Sequence, residues 1–267
     1  MSKVLELKNI EKTFYAGTVN ENYVIKNLSL DLEDGDYVTV IGGNGAGKST
    51  MLNIISGALL PDSGSVTIDG EDVTKLKEYQ RAKYLGRVFQ DPRLGTATNM
   101  SIAENMAIAN RRGKNRGLKW GLPKSEEAEY KELLSILDLG LENRLDAKMG
   151  LLSGGQRQAV TLLMATIQRP KILLLDEHTA ALDPKTAAKV LEITDKIVTQ
   201  NKLTTVMITH NMRDAIKHGN RLVMLDAGRV ILDIRGEEKQ NLTVDQLLKK
   251  FEHLGGESTL SDRMLLG

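Results

Sequence analysis

The stretch that most restricts the fold of this chain is "GGNGAGKST", residues 42–50. It follows the β-branched run "YVTVI", precedes a helical pattern and satisfies G-x-x-x-x-G-K-[ST]. Glycines in this arrangement let successive backbone amides turn towards phosphate oxygens, and the helix that follows adds the positive end of its dipole. The sequence therefore predicts a strand, a loop and a helix that bind a nucleotide phosphate. The predicted nucleotide-binding residues here are Gly42, Asn44, Gly45, Gly47, Lys48, Ser49 and Thr50.

Two side chains of this loop are expected to act directly on the nucleotide. Lys48 is predicted to reach the β and γ phosphates, and the Ser49 hydroxyl is predicted to bind Mg²⁺. The alternative is a glycine turn with an exposed lysine. That alternative does not account for the position of the motif between a strand and a helix.

A second motif, "ILLLDE" at residues 172–177, ends an apolar strand pattern in two adjacent acids. Unpaired carboxylates at the buried end of a strand are costly, so a cation and a water molecule would explain them. Asp176 is predicted to hold Mg²⁺, directly or through water. Glu177 is predicted to polarise, or at least to position, the water that attacks the γ phosphate. The alternative places both acids in solvent at the carboxyl end of the strand.

A third motif, "LLSGGQRQAV" at residues 151–160, places two glycines before an apolar helical pattern. Each glycine costs about 1 kcal/mol relative to alanine inside a helix, so the pair is expected at the mouth of the helix, meaning its N-terminal end with the unpaired amides of the first turn. Ser153 is a suitable N-cap, and the glycines leave amides bare at the positive helix end. The motif predicts an anion site that faces outward. The alternative is an ordinary capped helix.

Strand and helix patterns alternate along the chain. The opening segments "MSKVLELKNIEKTF" and "IKNLSLDL" form a β-rich layer, and "KILLLDE" and "TTVMITH" are typical of buried parallel strands. A hairpin is predicted around Ala227 and Gly228. The fold class is thus predicted as α/β, with a mostly parallel sheet and an N-terminal antiparallel β layer.

Helical patterns without an evident strand fill the chain between about Asn99 and Leu152, which predicts an inserted helical subdomain. Asp183 and Pro184 predict the start of a helix that runs to about Gln200. We expect one domain over residues 1–267. Its predicted parts are a core of residues 1–95 and 160–236, a helical subdomain of about 96–159 and a C-terminal extension of 237–267.

Composition excludes several other classes. The chain has no cysteine, which excludes a disulfide framework and a thiolate metal site. Its apolar runs are far shorter than the ~20 residues of a membrane-spanning helix. The first residues lack the apolar core of a signal peptide, so export is not expected. A net charge of +1 argues against a general nucleic-acid binder.

Five motifs together resemble the ATP-binding subunits of ABC transporters, and the resemblance extends to about residue 250. The phosphate loop is followed about 100 residues later by "LLSGGQRQ", then directly by "ILLLDE", and afterwards by "ALD" and "ITH". The resemblance implies a P-loop ATPase core and hydrolysis of ATP with Mg²⁺. It also implies a head-to-tail homodimer, in which the "LLSGGQRQ" segment caps the γ phosphate held by the partner's phosphate loop. The implied capping residues are Ser153, Gly154, Gly155 and Gln156.

The same resemblance implies roles for further residues. Gln90 matches a glutamine that reaches Mg²⁺ and the attacking water, and His210 matches a histidine that contacts the γ phosphate. Asp183 matches an acid that crosses the dimer interface, a role compatible with that of an N-cap. Phe14, or its neighbour Tyr15, matches an aromatic residue that stacks on adenine.

The chain departs from the family pattern at three positions. The family commonly has proline where this chain has His178 and Gly43, and serine where it has Ala180. None of the replaced groups is needed for the hydrolytic roles above. His178 adjoins Glu177 and could influence the proton affinity of that acid.

Two segments lie outside the shared motifs. "RRGKNRGLKWGL", residues 111–122, has five basic residues and no acid. It is interpreted either as a solvated loop or as a contact to a permease loop or to anionic lipid headgroups. The tail is too short for a regulatory domain, and its last dozen residues are expected to be disordered.

The resemblance implies an ATPase that powers a separate membrane permease, in a bacterial importer of a small solute such as an amino acid. It implies a place on the cytoplasmic face of the membrane, attached through the permease, and a solute-binding protein in the same system. One alternative is a soluble ABC ATPase that acts in assembly, repair or translation. A second is a nucleotide sensor without hydrolysis, which Glu177 and His210 argue against.

Overall fold

The computed structural model describes residues 3–114 and 123–253, apart from the side chain of Glu252. The chain divides into two units, one of Met1–Tyr84 with Lys202–Gly267 and one of Leu85–Asn201. The expectation of a disordered tail and most of the basic run 111–122 lie outside the described residues. The predicted limits of the helical subdomain stay a prediction.

An antiparallel sheet opens the first unit. Its strands are β1 (Lys3–Phe14), β2 (Asn22–Glu33), β4 (Ser63–Ile68) and β5 (Glu71–Asp72), in the order β2-β1-β4-β5. Alternating leucines of β1 and β2 pair across the sheet and are buried, as in Leu5 with Leu32 and Leu7 with Leu30. Period-two burial of this kind fixes the register, because a one-residue slip would expose the apolar side chains. The prediction of an N-terminal antiparallel layer is confirmed.

A mostly parallel set of strands forms the rest of the first unit's sheet structure. The strands are β3 (Tyr37–Gly42), β8 (Thr205–Ile208), β9 (Arg221–Asp226) and β10 (Arg229–Arg235), and β3 pairs in parallel with both β8 and β9. The predicted hairpin joins β9 to β10. Its turn residues Ala227 and Gly228 have φ of 45° and 81°.

Helices from the carboxyl-terminal part of the chain pack on this sheet. Met212, Leu247 and Phe251 pack with strand residues in one buried cluster, which fixes the last helix of the described chain against the sheet. The helices of the first unit are α1 (Lys48–Ser56), α2 (Glu78–Arg81), α7 (Met212–Lys217), α8 (Gly236–Gln240) and α9 (Val244–His253).

The second unit contains two parallel strands, β6 (Leu85–Val88) and β7 (Ile172–Asp176). Four residues of β7 are buried, as expected for a continuous apolar run. The predicted helix after Asp183 is present as α6 and buries Val190, Ile193 and Ile197. The helices of this unit are α3 (Ile102–Asn110), α4 (Lys124–Ser135), α5 (Gly154–Thr166) and α6 (Pro184–Asn201).

The α/β fold class is confirmed. Within the described ranges, the structure contains no helix that combines the length and the apolar character needed to cross a membrane.

Candidate functional site

The phosphate loop connects β3 to α1 and contains two positions that only glycine fits. A Cβ atom at Gly42 would lie 2.2 Å from the carbonyl oxygen of Leu225, and one at Gly47 would lie 2.7 Å from Cδ1 of Ile25. Gly47 also has φ of 97°, in the left-handed region that favours glycine. The loop is therefore held closely by its own unit.

Lys48 folds back over this loop. Its Nζ donates to the carbonyl oxygens of Gly42 at 2.8 Å and Gly43 at 3.1 Å, and the residue is buried. The N-cap of α1 is Gly47, which has no side chain to cap the first amides. The mouth of α1 thus presents donors and a cation to an anion. Asn44, Gly45 and Ser49 are exposed, and Thr50 is half-buried.

His210 lies near the end of a strand that neighbours the phosphate loop. Val40 of β3 is paired with Ile208 of β8, so Gly42 and His210 each lie two residues beyond a paired position. Carboxyl ends of parallel strands meet at one sheet edge, where ligands of α/β folds bind. The register places His210 on the edge that carries the phosphate loop.

The end of β1 presents two aromatic residues. Phe14 is half-buried, and Nζ of Lys12 lies 5.9 Å from the centre of its ring. Tyr15 is 72% exposed and has φ of 54°. Both residues stay candidates for stacking on an adenine ring, and Tyr15 offers the larger accessible face.

In the second unit, Gln90 and Glu177 lie at corresponding positions beyond neighbouring strands. Val88 of β6 is paired with Leu175 of β7, so each residue follows its paired strand position by two. Gln90 is exposed and Glu177 is half-buried. The register therefore brings the predicted glutamine and the predicted base to one sheet edge.

Asp176 is not simply solvated, because Nη2 of Arg87 lies 3.5 Å from its Oδ2. The two side chains are 14% and 17% exposed. The carboxylate of Asp176 thus has a cationic neighbour within its own unit. This pairing was not predicted, although an arginine inside the otherwise apolar strand "YLGRVF" was a signal for it.

The serine–glycine–glycine motif forms the mouth of α5, as predicted. Oγ of Ser153 accepts from the amide of Gln156 at 3.3 Å, and the amide of Ser153 donates to Oε1 of Gln156 at 3.1 Å. This reciprocal pair is a capping box. The amides of Gly154 and Gly155, in the first helical turn, have no carbonyl within the helix to bind.

Gly155 also has a packing role. A Cβ atom there would lie 2.1 Å from Cγ2 of Thr186, whereas one at Gly154 would lie 3.2 Å from Cδ2 of Leu182. Gly155 is buried and Gly154 is exposed. The second glycine thus lets α5 approach α6 closely, and the first faces outward.

Asp183 caps α6, as its sequence position predicts. Its Oδ1 accepts from the amide of Thr186 at 3.1 Å, and hydrogen bonds from Thr186 lower the pKa of the exposed carboxyl from its ordinary 3.8. The capping role is observed. The role across a dimer interface stays a prediction.

Gln158 is a second residue that the sequence reasoning missed. It lies within α5, is 1% exposed, and its Nε2 donates to the carbonyl oxygen of Phe89 at 3.2 Å. It therefore ties the helix that carries the glycine motif to the residue before Gln90. Its only signal in the sequence is a glutamine inside an apolar helical pattern.

The predicted metal ligands fit Mg²⁺ by chemistry. A hydroxyl, a carboxylate and an amide oxygen, from Ser49, Asp176 and Gln90, are hard oxygen donors. Among the described residues, no group of three or more His, Cys, Asp or Glu forms a metal cage. Magnesium bound through few protein oxygens and substrate phosphates needs no such cage.

Comparison with known proteins identifies relatives along most of the chain. Residues 25–180 match the model of the ABC transporter family. A tyrosine transport ATP-binding protein of Clostridioides difficile (strain R20291) is 48% identical over 250 residues, with 94% of this chain and 99% of the relative covered. The ABC transporter ATP-binding protein YxdL of Bacillus subtilis (strain 168) is 33% identical over 262 residues, and 96% of each chain is covered.

Solved structures agree with these relatives. A dimeric ATP-binding cassette in a post-hydrolysis state, bound to ADP and Pi, superposes with a TM-score of 0.73 at 32% identity, covering 86% of this chain and 98% of its own. A second cassette of an ABC transporter, in its ADP conformation, gives 0.76 at 26% identity and covers 94% and 99%.

Proposed function

We propose, on the premise that this chain belongs to the ABC transporter family, that it powers the import of an amino acid through a separate membrane permease. The chain is an ATP-hydrolysing ATP-binding subunit of a transporter. The amino-acid substrate rests on the 48% identity to a protein named for tyrosine transport. The proposed place is the cytoplasmic face of the membrane, and a solute-binding protein is the proposed further partner.

The phosphate loop carries the catalytic part of the proposal. Lys48 is buried at the N-terminus of α1, which has no side-chain cap. Its Nζ donates to two loop carbonyl oxygens, and a bound phosphate can replace these oxygens as acceptors. In our assignment, Lys48 neutralises the β and γ phosphates and His210 contacts the γ phosphate. An aromatic ring of Phe14 or Tyr15 stacks on the adenine.

Hydrolysis is assigned to the edge that carries Gln90 and Glu177. Gln90 orients the attacking water, and Glu177 accepts a proton from it as its oxygen adds in line to the γ phosphorus. The bond between the γ phosphorus and the oxygen that bridges it to the β phosphate breaks, so ADP and inorganic phosphate are the products. Ser49, Asp176 and Gln90 would hold Mg²⁺ together with the nucleotide, and the ion would supply Lewis-acid stabilisation of the phosphate charge.

The mouth of α5 is assigned to the nucleotide of a second subunit in a head-to-tail homodimer. Ser153 and Gly154 are exposed, and the segment 151–156 contains no lysine or arginine. Such a helix mouth contributes dipole and amides but no cation, so it suits a phosphate that another loop already neutralises. Asp183, the exposed N-cap of α6, is assigned to the same interface.

A cavity of about 430 Å³ in the second unit is our proposed contact for the permease. Arg111 pairs with Glu126, and the guanidinium of Arg112 donates to the carbonyl oxygen of Ala165 at 2.9 Å. These two arginines therefore build the wall of the cavity, and Lys114 at its rim is exposed. A cationic wall favours a permease segment with an acidic side chain.

Replacement of Glu177 by Gln tests the catalytic assignment. The amide keeps the size of the side chain and removes the base, so we expect ATP to bind as before and turnover to fall by about 100-fold or more. Turnover and nucleotide binding are measured separately on the purified chain, and Glu192→Gln on the exposed face of α6 is the matched control. Near-normal hydrolysis by the Glu177 variant would remove this residue from the mechanism.

Uptake of labelled tyrosine tests the transport assignment. Cells that carry the chain with its permease are expected to accumulate tyrosine, and cells with the Glu177→Gln chain are expected not to. The purified chain should sediment with membranes only when the permease is present. Sedimentation with protein-free vesicles would instead favour lipid binding through the basic run.

A further inference from the structure

The residue assigned as the catalytic base has an unusual backbone. Glu177 has φ of 44°, in the left-handed region, and it directly follows β7. A non-glycine residue in this region is strained and persists only where its surroundings impose it. The amide of Ala180 donates to the carbonyl oxygen of Glu177 at 2.9 Å and closes the turn from one side.

His178, the next residue, is 2% exposed and reaches α6. Its Nε2 lies 3.1 Å from Oγ1 of Thr194. Oγ1 of Thr194 lies 2.8 Å from the carbonyl oxygen of Val190, which can only accept, so the single hydroxyl proton of Thr194 is used there. Thr194 is therefore the acceptor towards His178, and Nε2 of His178 carries the hydrogen.

We infer that His178 is a positioning residue for Glu177, and this inference rests on the proposed role of Glu177. Its hydrogen bond to Thr194 anchors the residue after Glu177 to α6 and thereby holds Glu177 in its left-handed conformation. The carboxylate of Glu177 then keeps one orientation relative to the water that it activates. A base that is fixed before the substrate binds needs no reorganisation during the reaction.

Thr194, the hydrogen-bond partner of His178, lies on α6, and the same helix packs against Gly155 of the glycine motif. Thr186, Val190 and Thr194 follow one another at intervals of four along α6, so they lie along one side of the helix. The Cβ position of Gly155 is 2.1 Å from Thr186 and 4.0 Å from Val190. One side of α6 therefore fixes both the turn of Glu177 and the mouth of α5.

Thr194→Val tests the anchor, because valine has the same shape and lacks the acceptor, and Thr194→Ser is the matched control that keeps the hydroxyl. We expect the valine variant to lose about 10-fold in kcat with KM for ATP changed by less than about 2-fold, and the serine variant to resemble the parent. In the Glu177→Gln background, Thr194→Val should have no further effect on the residual rate. A merely structural role would lower the rate in both backgrounds alike.

His178→Phe provides a second test from the other end of the hydrogen bond. Phenylalanine keeps an aromatic ring and removes the nitrogen donor, so kcat should fall by about 10-fold as in Thr194→Val, and the two substitutions together should lower kcat no further than either alone. Unchanged kcat for a folded Thr194→Val or His178→Phe chain, or additive losses in the double variant, would overturn the inference. Normal turnover by Glu177→Gln alone would instead overturn the proposed function, so the two failures are distinguishable.

Discussion

Two helix mouths in this chain present amides to an anion, and they are built in opposite ways. The mouth of α1 has a glycine N-cap without a side-chain hydrogen bond, and its Lys48 is buried. The mouth of α5 has a serine N-cap in a capping box, and its Ser153 and Gly154 are exposed. The first mouth is enclosed by its own unit, and the second faces outward.

The difference lies in charge as well as in shape. Arg157, in the first turns of α5, directs its guanidinium to the carbonyl oxygens of Met149, Gly150 and Leu152, between 3.1 and 3.3 Å away. Arg157 therefore stabilises the turn that precedes α5. An enclosed mouth with a lysine can hold a phosphate by itself, whereas an outward mouth without a cation can only complete a site formed elsewhere.

The largest expected effect concerns the enclosed mouth. Gly42→Ala would place Cβ 2.2 Å from a backbone oxygen, so the loop has to move. Because small displacements of positioning groups have large effects, we expect ATP affinity to fall by about 100-fold or more in a nucleotide titration. Gly70→Ala is the control, since Gly70 has φ of 79° and no heavy atom within 4 Å of its Cβ position. Equal losses in both variants would contradict a loop-specific effect.

Substitutions of Ser153 test the outward mouth, because they distinguish its role as N-cap of α5 from its proposed role in binding a phosphate. Ser153→Asp keeps a good N-cap but places a carboxylate at the mouth, so we expect an unchanged thermal midpoint and hydrolysis lower by about 30-fold or more. Ser153→Thr should keep both properties. Ser153→Ala should lose about 1 kcal/mol of stability with the cap. Hydrolysis by Ser153→Asp at the parental rate would reduce this mouth to an ordinary capped helix.

The two glycines of the outward mouth should respond differently in stability. Gly155→Ala conflicts with the methyl group of Thr186 and is expected to lower the free energy of unfolding by about 1–3 kcal/mol in urea. Thr186→Ser removes that methyl group and should restore most of the loss. Gly154→Ala should be neutral or slightly stabilising, because its Cβ meets only the end of Leu182 and alanine favours a helix. Absence of rescue by Thr186→Ser would mean that the packing of α5 on α6 is not the cause.

The smallest expected effect is the pH dependence of the Asp183 cap. Hydrogen bonds from Thr186 lower the pKa of Asp183 below 3.8 in the folded state, so the carboxylate stabilises the fold above that value, and this stabilisation is lost as pH falls through the folded pKa. Asp183→Ser keeps a cap that does not titrate. The difference in thermal midpoint between parent and variant should shrink as pH falls from 6 to about 3. A difference that is constant with pH would contradict a charged cap.

Local patterns were sufficient to predict much of the fold. The alternating leucines of β1 and β2 and the apolar run of β7 each encode their burial within a few residues, and Asp183 with Pro184 encodes a helix start. The hairpin at Ala227 and Gly228 was predicted for the same reason.

The supporting contacts of the candidate site could not be predicted in this way. Arg87 with Asp176, Gln158 with Phe89, and His178 with Thr194 join residues on different elements, and no period or motif encodes such pairs. The first two arginines of the basic run also find partners inside the fold, although their composition indicated solvent or a partner. Motifs therefore identified the groups assigned to the nucleotide, and tertiary packing determines which side chains hold those groups in place.

The central claim, that the two mouths serve one nucleotide from different subunits, is tested most directly in a mixed dimer. One chain carries Lys48→Ala and the other Gly154→Asp, and each homodimer is expected to be inactive because both of its sites are damaged. In a mixed head-to-tail dimer both defects fall on the same site, and the other site consists of intact parts. Hydrolysis and trapping of nucleotide are measured on each homodimer and on the mixture.

We predict that mixing restores hydrolysis, up to about half of the parental rate per mixed dimer if the sites act independently. Where cooperativity lowers the rate, one trapped nucleotide per mixed dimer still reports the intact site. If each α5 mouth acted on the nucleotide of its own chain, every site in the mixture would carry one defect. The mixture would then show neither hydrolysis nor a trapped nucleotide, and that result would contradict the account.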